Sequence, residues 1–184
     1  MRRLAADRLA GRQFGVVSRA QALDCGLTQR SLQHRIGAGG RWQRILPGIY
    51  VASTGEPGPD QRLMAALLYA GEGSIITGQA ALRHYKVRVP DARQVDILIP
   101  AGRRRSSREY VVVHRTRRMP RRYAAIGPIQ FAPPARAVAD AAGLWRNWRT
   151  EYSPRPRATC GSCSGALACP ARCSTRDSTT SATD

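Results

Sequence analysis

Apolar positions recur at helical spacing near the start of the chain. Leu4 and Leu9 give a modest amphipathic pattern that predicts a first helix over 4–14, punctuated by Gly11 and Gly15. Ser18 is a good N-cap, because its hydroxyl can accept from an otherwise orphaned backbone N–H; the short segment after it carries Ala20 and Leu23 three apart. Cys25-Gly26-Leu27 breaks that helix, and Thr28 caps another in which Leu32 and Ile36 share one face. Two helices joined by a short turn containing Gly form a helix-turn-helix pattern. Gly37, Gly39 and Gly40 stop the second of them. The stretches 42–46 and 48–51 then read as two strands around the turn dipeptide Pro47-Gly48. Helix, turn, helix and β-ribbon together predict a winged helix over residues 1–52, with the first helix completing its core.

The pattern changes after the Pro/Gly-rich linker 53–59. Leu63, Leu67 and Ala70, with Met64 and Leu68 beside them, predict a helix over 60–70. Ile75-Ile76 suggests a buried strand, with Thr77 capping a helix through Tyr85. The runs 95–99 and 110–114 are β-branched and bounded by breakers, which marks them as strands. Ala101 to Arg108 between them reads as a basic hairpin tip. A short strand at 129–131 and a helix over 135–143, opened by Pro133-Pro134, complete a small α+β domain over 60–145. The first module is near the lower size limit for an unaided core, so it is expected to lean on the second.

From Arg146 the composition shifts. Leu167 is the only aliphatic residue beyond alanine, Val and Ile are absent, and Ser and Thr abound, so disorder is the expectation for 146–184. The abruptness of the change suggests an out-of-frame or truncated C-terminus. Cys160, Cys163, Cys169 and Cys173 have the spacing C-x2-C-x5-C-x3-C, a weak candidate for a tetrahedral zinc site, with no histidine or aromatic residue in the loop. Gly161-Ser162-Cys163-Ser164-Gly165 matches a nucleophile elbow in letters only, without its strand and helix.

Charge alters the picture most. The chain of 184 residues carries a formal net charge of +18, a balance that favours polyanions, nucleic acid first. Lys86 is the only lysine, so part of this arginine excess reflects coding bias. No run of 18 apolar residues occurs, and the N-terminus lacks the apolar centre of a signal peptide; a cytoplasmic location is expected, with no membrane partner.

Placing Leu32 and Ile36 inward turns Arg30, Gln33 and His34 outward, with Gln29 flanking. Arg and Gln make bidentate contacts to guanine and adenine edges in the major groove. Thr28 is placed to meet a phosphate at the helix N-terminus, and Arg41 and Arg44 add backbone or minor-groove contacts. Arg103, Arg104, Arg105 and Arg108, followed by five arginines in 115–122, form a second basic surface. These residues predict double-stranded DNA as the partner. Catalysis finds little support: Asp60, Asp91, Asp96, Glu109 and Asp140 are scattered, the (D/E)-x-K element of metal-dependent nucleases is absent, and His84 and His114 lack a partner motif. No catalytic residue and no cofactor are expected.

The run V-S-R-A-Q-A-L-x-x-G-L-T-x-R-S-L-x-x-R-I, with G-R-W-x-R-I-L-P-G-I-Y after it, resembles the N-terminal domain of AbiEi-type antitoxins, and the second half is the more specific. The close match covers about a quarter of the chain; residues 60–145 are more loosely similar to the segment after this module in related proteins, some of which continue into a Vsr-like nuclease domain. The resemblance implies a transcriptional regulator that represses its own toxin–antitoxin operon and opposes a nucleotidyltransferase toxin indirectly through that operon. The alternatives are the truncated remnant of a nuclease fusion, or a protein-interaction module without specific DNA binding.

Overall fold

The computed structural model describes residues 2–37, 39–90 and 93–151. Among these the chain is α+β, with six helices and two sheets. In order the elements are α1 (Arg2–Arg12), β1 (Val16–Ser18), α2 (Arg19–Asp24), α3 (Gln29–Ile36), β2 (Gln43–Leu46), β3 (Ile49–Val51), α4 (Pro59–Ala70), β4 (Ile75–Thr77), α5 (Gly78–His84), β5 (Val95–Pro100), β6 (Val111–Thr116), β7 (Ala124–Ile126), β8 (Ile129–Phe131) and α6 (Pro134–Glu151).

The first sheet has the order β1-β3-β2, antiparallel throughout, with Val16 opposite Val51, Val17 opposite Tyr50 and Ser18 opposite Ile49. Side chains alternate across a strand, so this register divides the sheet between two cores. Val17 and Tyr50 join Ala6, Ala10, Ala22, Leu27, Leu32 and Trp42 under the first three helices. Val16, Ile49 and Val51 turn the other way, into a larger core with α4 and the second sheet. The expected dependence of the N-terminal part on the second thus has a concrete form: one side of its sheet is covered by α4.

That second role explains α4. It packs on β1, β2 and β3 and also on β4, β5 and β8. An ordinary surface helix buries one stripe, whereas Met64, Ala65, Ala66, Leu67, Tyr69 and Ala70 are all buried here. Gly71 ends it at φ 89°, and the Arg103 guanidinium donates to the Ala70 carbonyl at 3.4 Å, a cation set at the negative end of the helix.

The second sheet has the order β6-β5-β4-β8-β7. The strands expected at 95–99 and 110–114 are present, but they pair in parallel, Val95 opposite Val111 through Pro100 opposite Thr116. Residues 101–110 are therefore not a hairpin tip. They run back the length of the strand, and the Tyr69 hydroxyl donates to the Ser106 carbonyl at 2.9 Å to hold them across the end of α4. Thr77 also differs from expectation. It precedes α5, but its hydroxyl caps nothing and instead donates to Asp140 Oδ2 at 2.6 Å, tying β4 to α6. Arg136 holds the same carboxylate at 2.8 and 2.9 Å. The last helix runs beyond 146 to Glu151, and the candidate zinc cysteines and the 161–165 string lie outside the described residues. Among the described residues no helix is long and apolar enough to cross a membrane.

Tyr110 ties the start of β6 to α4. Its hydroxyl donates to the Arg62 carbonyl at 3.1 Å, and the Arg62 guanidinium lies 4.5 Å above its ring. Burial pushes the phenol well above its ordinary value of 10.0, with Arg62 opposing and Glu109 reinforcing the shift. The folded state therefore holds this proton more tightly than the unfolded chain. Its contribution is fully present below about pH 10 and is lost as pH rises above that. Denaturation midpoints should fall over that alkaline range and fall less in Tyr110→Phe; identical alkaline profiles would contradict this.

Candidate nucleic-acid interface

The local sequence builds α2 and α3 as a fixed pair. Ser18 accepts from the Gln21 N–H at 3.1 Å while the Gln21 side chain accepts from the Ser18 N–H at 3.0 Å, a reciprocal cap. At the far end of α2 the Leu27 N–H reaches the Ala22 carbonyl and the Gly26 N–H the Leu23 carbonyl, at 3.1 and 2.8 Å. That is a Schellman ending, which requires the left-handed conformation that Gly26 adopts at φ 86°. Its companion apolar contact is also present, since Ala22 and Leu27 share the smaller core. The turn is thus rigid and sets the angle at which α3 leaves. Thr28 caps α3 by accepting from the Ser31 N–H at 3.2 Å.

Within α3, Leu32 is fully buried and Ile36 packs partly against the same core. Arg35 is drawn to the side by Asp7 of α1 at 2.8 Å, with its guanidinium 4.8 Å over the Trp42 ring. Gln29, Arg30, Gln33 and His34 are exposed, and among the described residues Arg30, Gln33 and His34 have no side-chain partner. Gln29 accepts from the Arg19 guanidinium at 3.0 Å, which leaves its amide N–H groups free. Sequence reasoning placed this face but missed Arg19, whose contact spans the α2–α3 turn.

The chain returns along α3 because Gly40 lets it. The Trp42 N–H donates to the Arg35 carbonyl at 3.0 Å, and a Cβ on Gly40 would lie 2.0 Å from that oxygen. Arg41, exposed, is thereby held beside the last turn of α3. The ribbon itself is short, closed by Pro47 and Gly48 between Leu46 and Ile49, with Gly48 at φ 75°.

Arg44 leads elsewhere. With Pro47 and Tyr69 it lines an open cavity of about 1020 Å³ whose other wall is Arg104, Arg105, Ser106, Arg108 and Arg115. The second basic surface and one arginine of the ribbon therefore converge. Arg103 does not join them, being engaged at the end of α4. In the sequence Arg115 is visible only as one of a run of arginines, and Tyr69, on which Arg105 rests at 5.0 Å, gives no signal at all.

Two of the carboxylates expected to be scattered are committed to structure, whereas Asp60 and Glu109 stand exposed. Asp96, largely buried, lies 2.9 Å from His114 Nε2, and Asp140 is held by Thr77 and Arg136. Asp91 lies outside the described residues. Among the described residues no three His, Cys, Asp or Glu side chains converge as a metal site. No protein family matches the chain, and no curated protein matches it.

Proposed function

We propose that residues 1–52 form a winged helix-turn-helix that binds double-stranded DNA with α3 in the major groove, and that the protein is an antitoxin-like repressor of its own operon. One observation carries this reading: α3 is anchored by Leu32 while Arg30, Gln33 and His34 stand exposed and unpartnered on its opposite side. Arg and Gln are the side chains best suited to guanine and adenine edges. The flanking groups suit the phosphate backbone. The free N–H groups at the start of α3 suit an approaching anion, while the Thr28 hydroxyl is spent within the turn, donating to Ser31 Oγ at 2.9 Å, and Arg41 stands at the other end of the helix. The capped, glycine-closed turn supports the reading further, because a reading helix must hold its angle to match a groove. The antitoxin part rests on the resemblance of 17–50 to AbiEi-type N-terminal domains; on that reading a toxin is opposed through the shared operon.

The test uses the full chain and the DNA immediately upstream of its own coding sequence, against an unrelated duplex of equal length. The proposal expects at least about a thousandfold tighter binding to the upstream DNA at physiological salt. Equal affinity for both duplexes would reject it.

A further inference from the structure

The cavity beside β2 is lined by five arginines. Arg44, Arg104, Arg105, Arg108 and Arg115 line it together, and among the described residues none has a carboxylate partner. Guanidinium groups crowded without counter-charge repel one another and destabilise the compact state, an effect that an arriving anion removes. The site is also held in shape. Arg105 lies over the Tyr69 ring at 5.0 Å, and the Tyr69 hydroxyl fixes the loop at Ser106.

We propose that this cavity tracks the phosphate backbone of the same duplex whose bases α3 reads, so that the second sheet's 101–110 connection belongs to the DNA-binding surface. The proposal rests on the helix reading given above. Guanidinium forks match phosphate oxygens, which makes arginine the fitting residue for such a track. The lining offers no free aromatic face, since Arg105 covers Tyr69, so a stack of unpaired bases has no platform there. Contacts also lead from the cavity to α3. Pro47 lines it; the Gly48 carbonyl beside Pro47 accepts from the Arg19 N–H at 2.7 Å; and the Arg19 side chain donates to Gln29 at the start of α3 at 3.0 Å. A backbone passing the N-terminus of α3 is thereby led toward Arg44. Glu56 and Glu109 lie in a neighbouring cleft that Arg44 also borders, and their charge closes the track on that side.

The experiment measures binding of the full chain to a labelled mixed-sequence duplex of about three helical turns, roughly 30 base pairs. Affinity is followed from about 50 to 200 mM salt, because each phosphate contact contributes about 0.9 to the slope of log K against log salt. The combined variant Arg104→Gln, Arg108→Gln and Arg115→Gln should lower that slope by about 2–3. The matched lysine substitutions, which keep the charge, should retain it and show that the loop still folds. A glutamine variant that melts no lower than the wild type and keeps the wild-type slope would overturn the proposal. So would a slope lowered on single-stranded DNA or RNA of the same sequence but not on the duplex. Arg30→Ala with Gln33→Ala separates the two readings, since it should abolish preference for the upstream DNA while keeping most of the slope. If that preference survives while the glutamine variant still loses slope, the helix reading fails and the shared-duplex proposal fails with it, leaving the cavity as a general phosphate site.

Discussion

Leu32→Ala should destabilise the protein by about 2–5 kcal/mol and abolish DNA binding at temperatures where the wild type is active. Leu32 has no exposed surface, and its core is small, with Ala6, Ala10 and Ala22 among its members. Alanines on helix backbones cannot move in to fill the space, so the cavity term should approach its full size. The damage should not stay local. β1 and β3 contribute Val17 and Tyr50 to this core and Val16, Ile49 and Val51 to the other, so loosening α3 also loosens the cover over α4. Chemical denaturation of both proteins checks this. A midpoint that hardly moves would mean that α3 is not anchored where the structure puts it.

Much of the α2–α3 region is legible in the sequence because its determinants are local. Ser18 and Thr28 act as caps within three residues of themselves, Gly26 supplies the one conformation its turn requires, and Leu32 with Ile36 sets which side faces inward. The same holds for Pro47-Gly48. The features that escape depend on partners remote in sequence. Val16-Val17 is too short to declare itself a strand, and becomes one by pairing with β3. The strands β5 and β6 are evident from their β-branched runs, but the connection between them is shorter than a parallel crossover usually needs, so it resembles a hairpin tip until the pairing is known. Thr77 looks like a cap because its spacing to α5 is right; Asp140, far along the chain, competes for the hydroxyl and wins it with a part-buried bond. The convergence of Arg44 with Arg104, Arg105 and Arg108 is likewise invisible in the sequence, since it requires α4 to bring the first sheet against the 101–110 connection. Arg103 shows the converse: part of the basic run by sequence, it is occupied by the end of a helix.

The second large effect concerns the outward side of α3. Replacing Arg30 and Gln33 by alanine removes two exposed side chains that have no hydrogen-bond or ion-pair partner among the described residues, so stability should stay within about 0.5 kcal/mol of wild type. Each should nevertheless cost about 1–3 kcal/mol of binding to the upstream DNA if it reads a base edge. Binding to an unrelated duplex should fall far less, because on the proposed reading Gln33 contributes only to sequence-dependent contacts and Arg30 gives up at most one phosphate contact.

The most direct measurement is therefore the ratio of affinities for upstream and unrelated DNA, in wild type and in Arg30→Ala with Gln33→Ala, at one salt concentration. A ratio that collapses toward unity, in a variant that melts with the wild type, is the predicted result. A ratio that survives intact would mean that these side chains do not read the sequence, and that α3 is not the recognition helix.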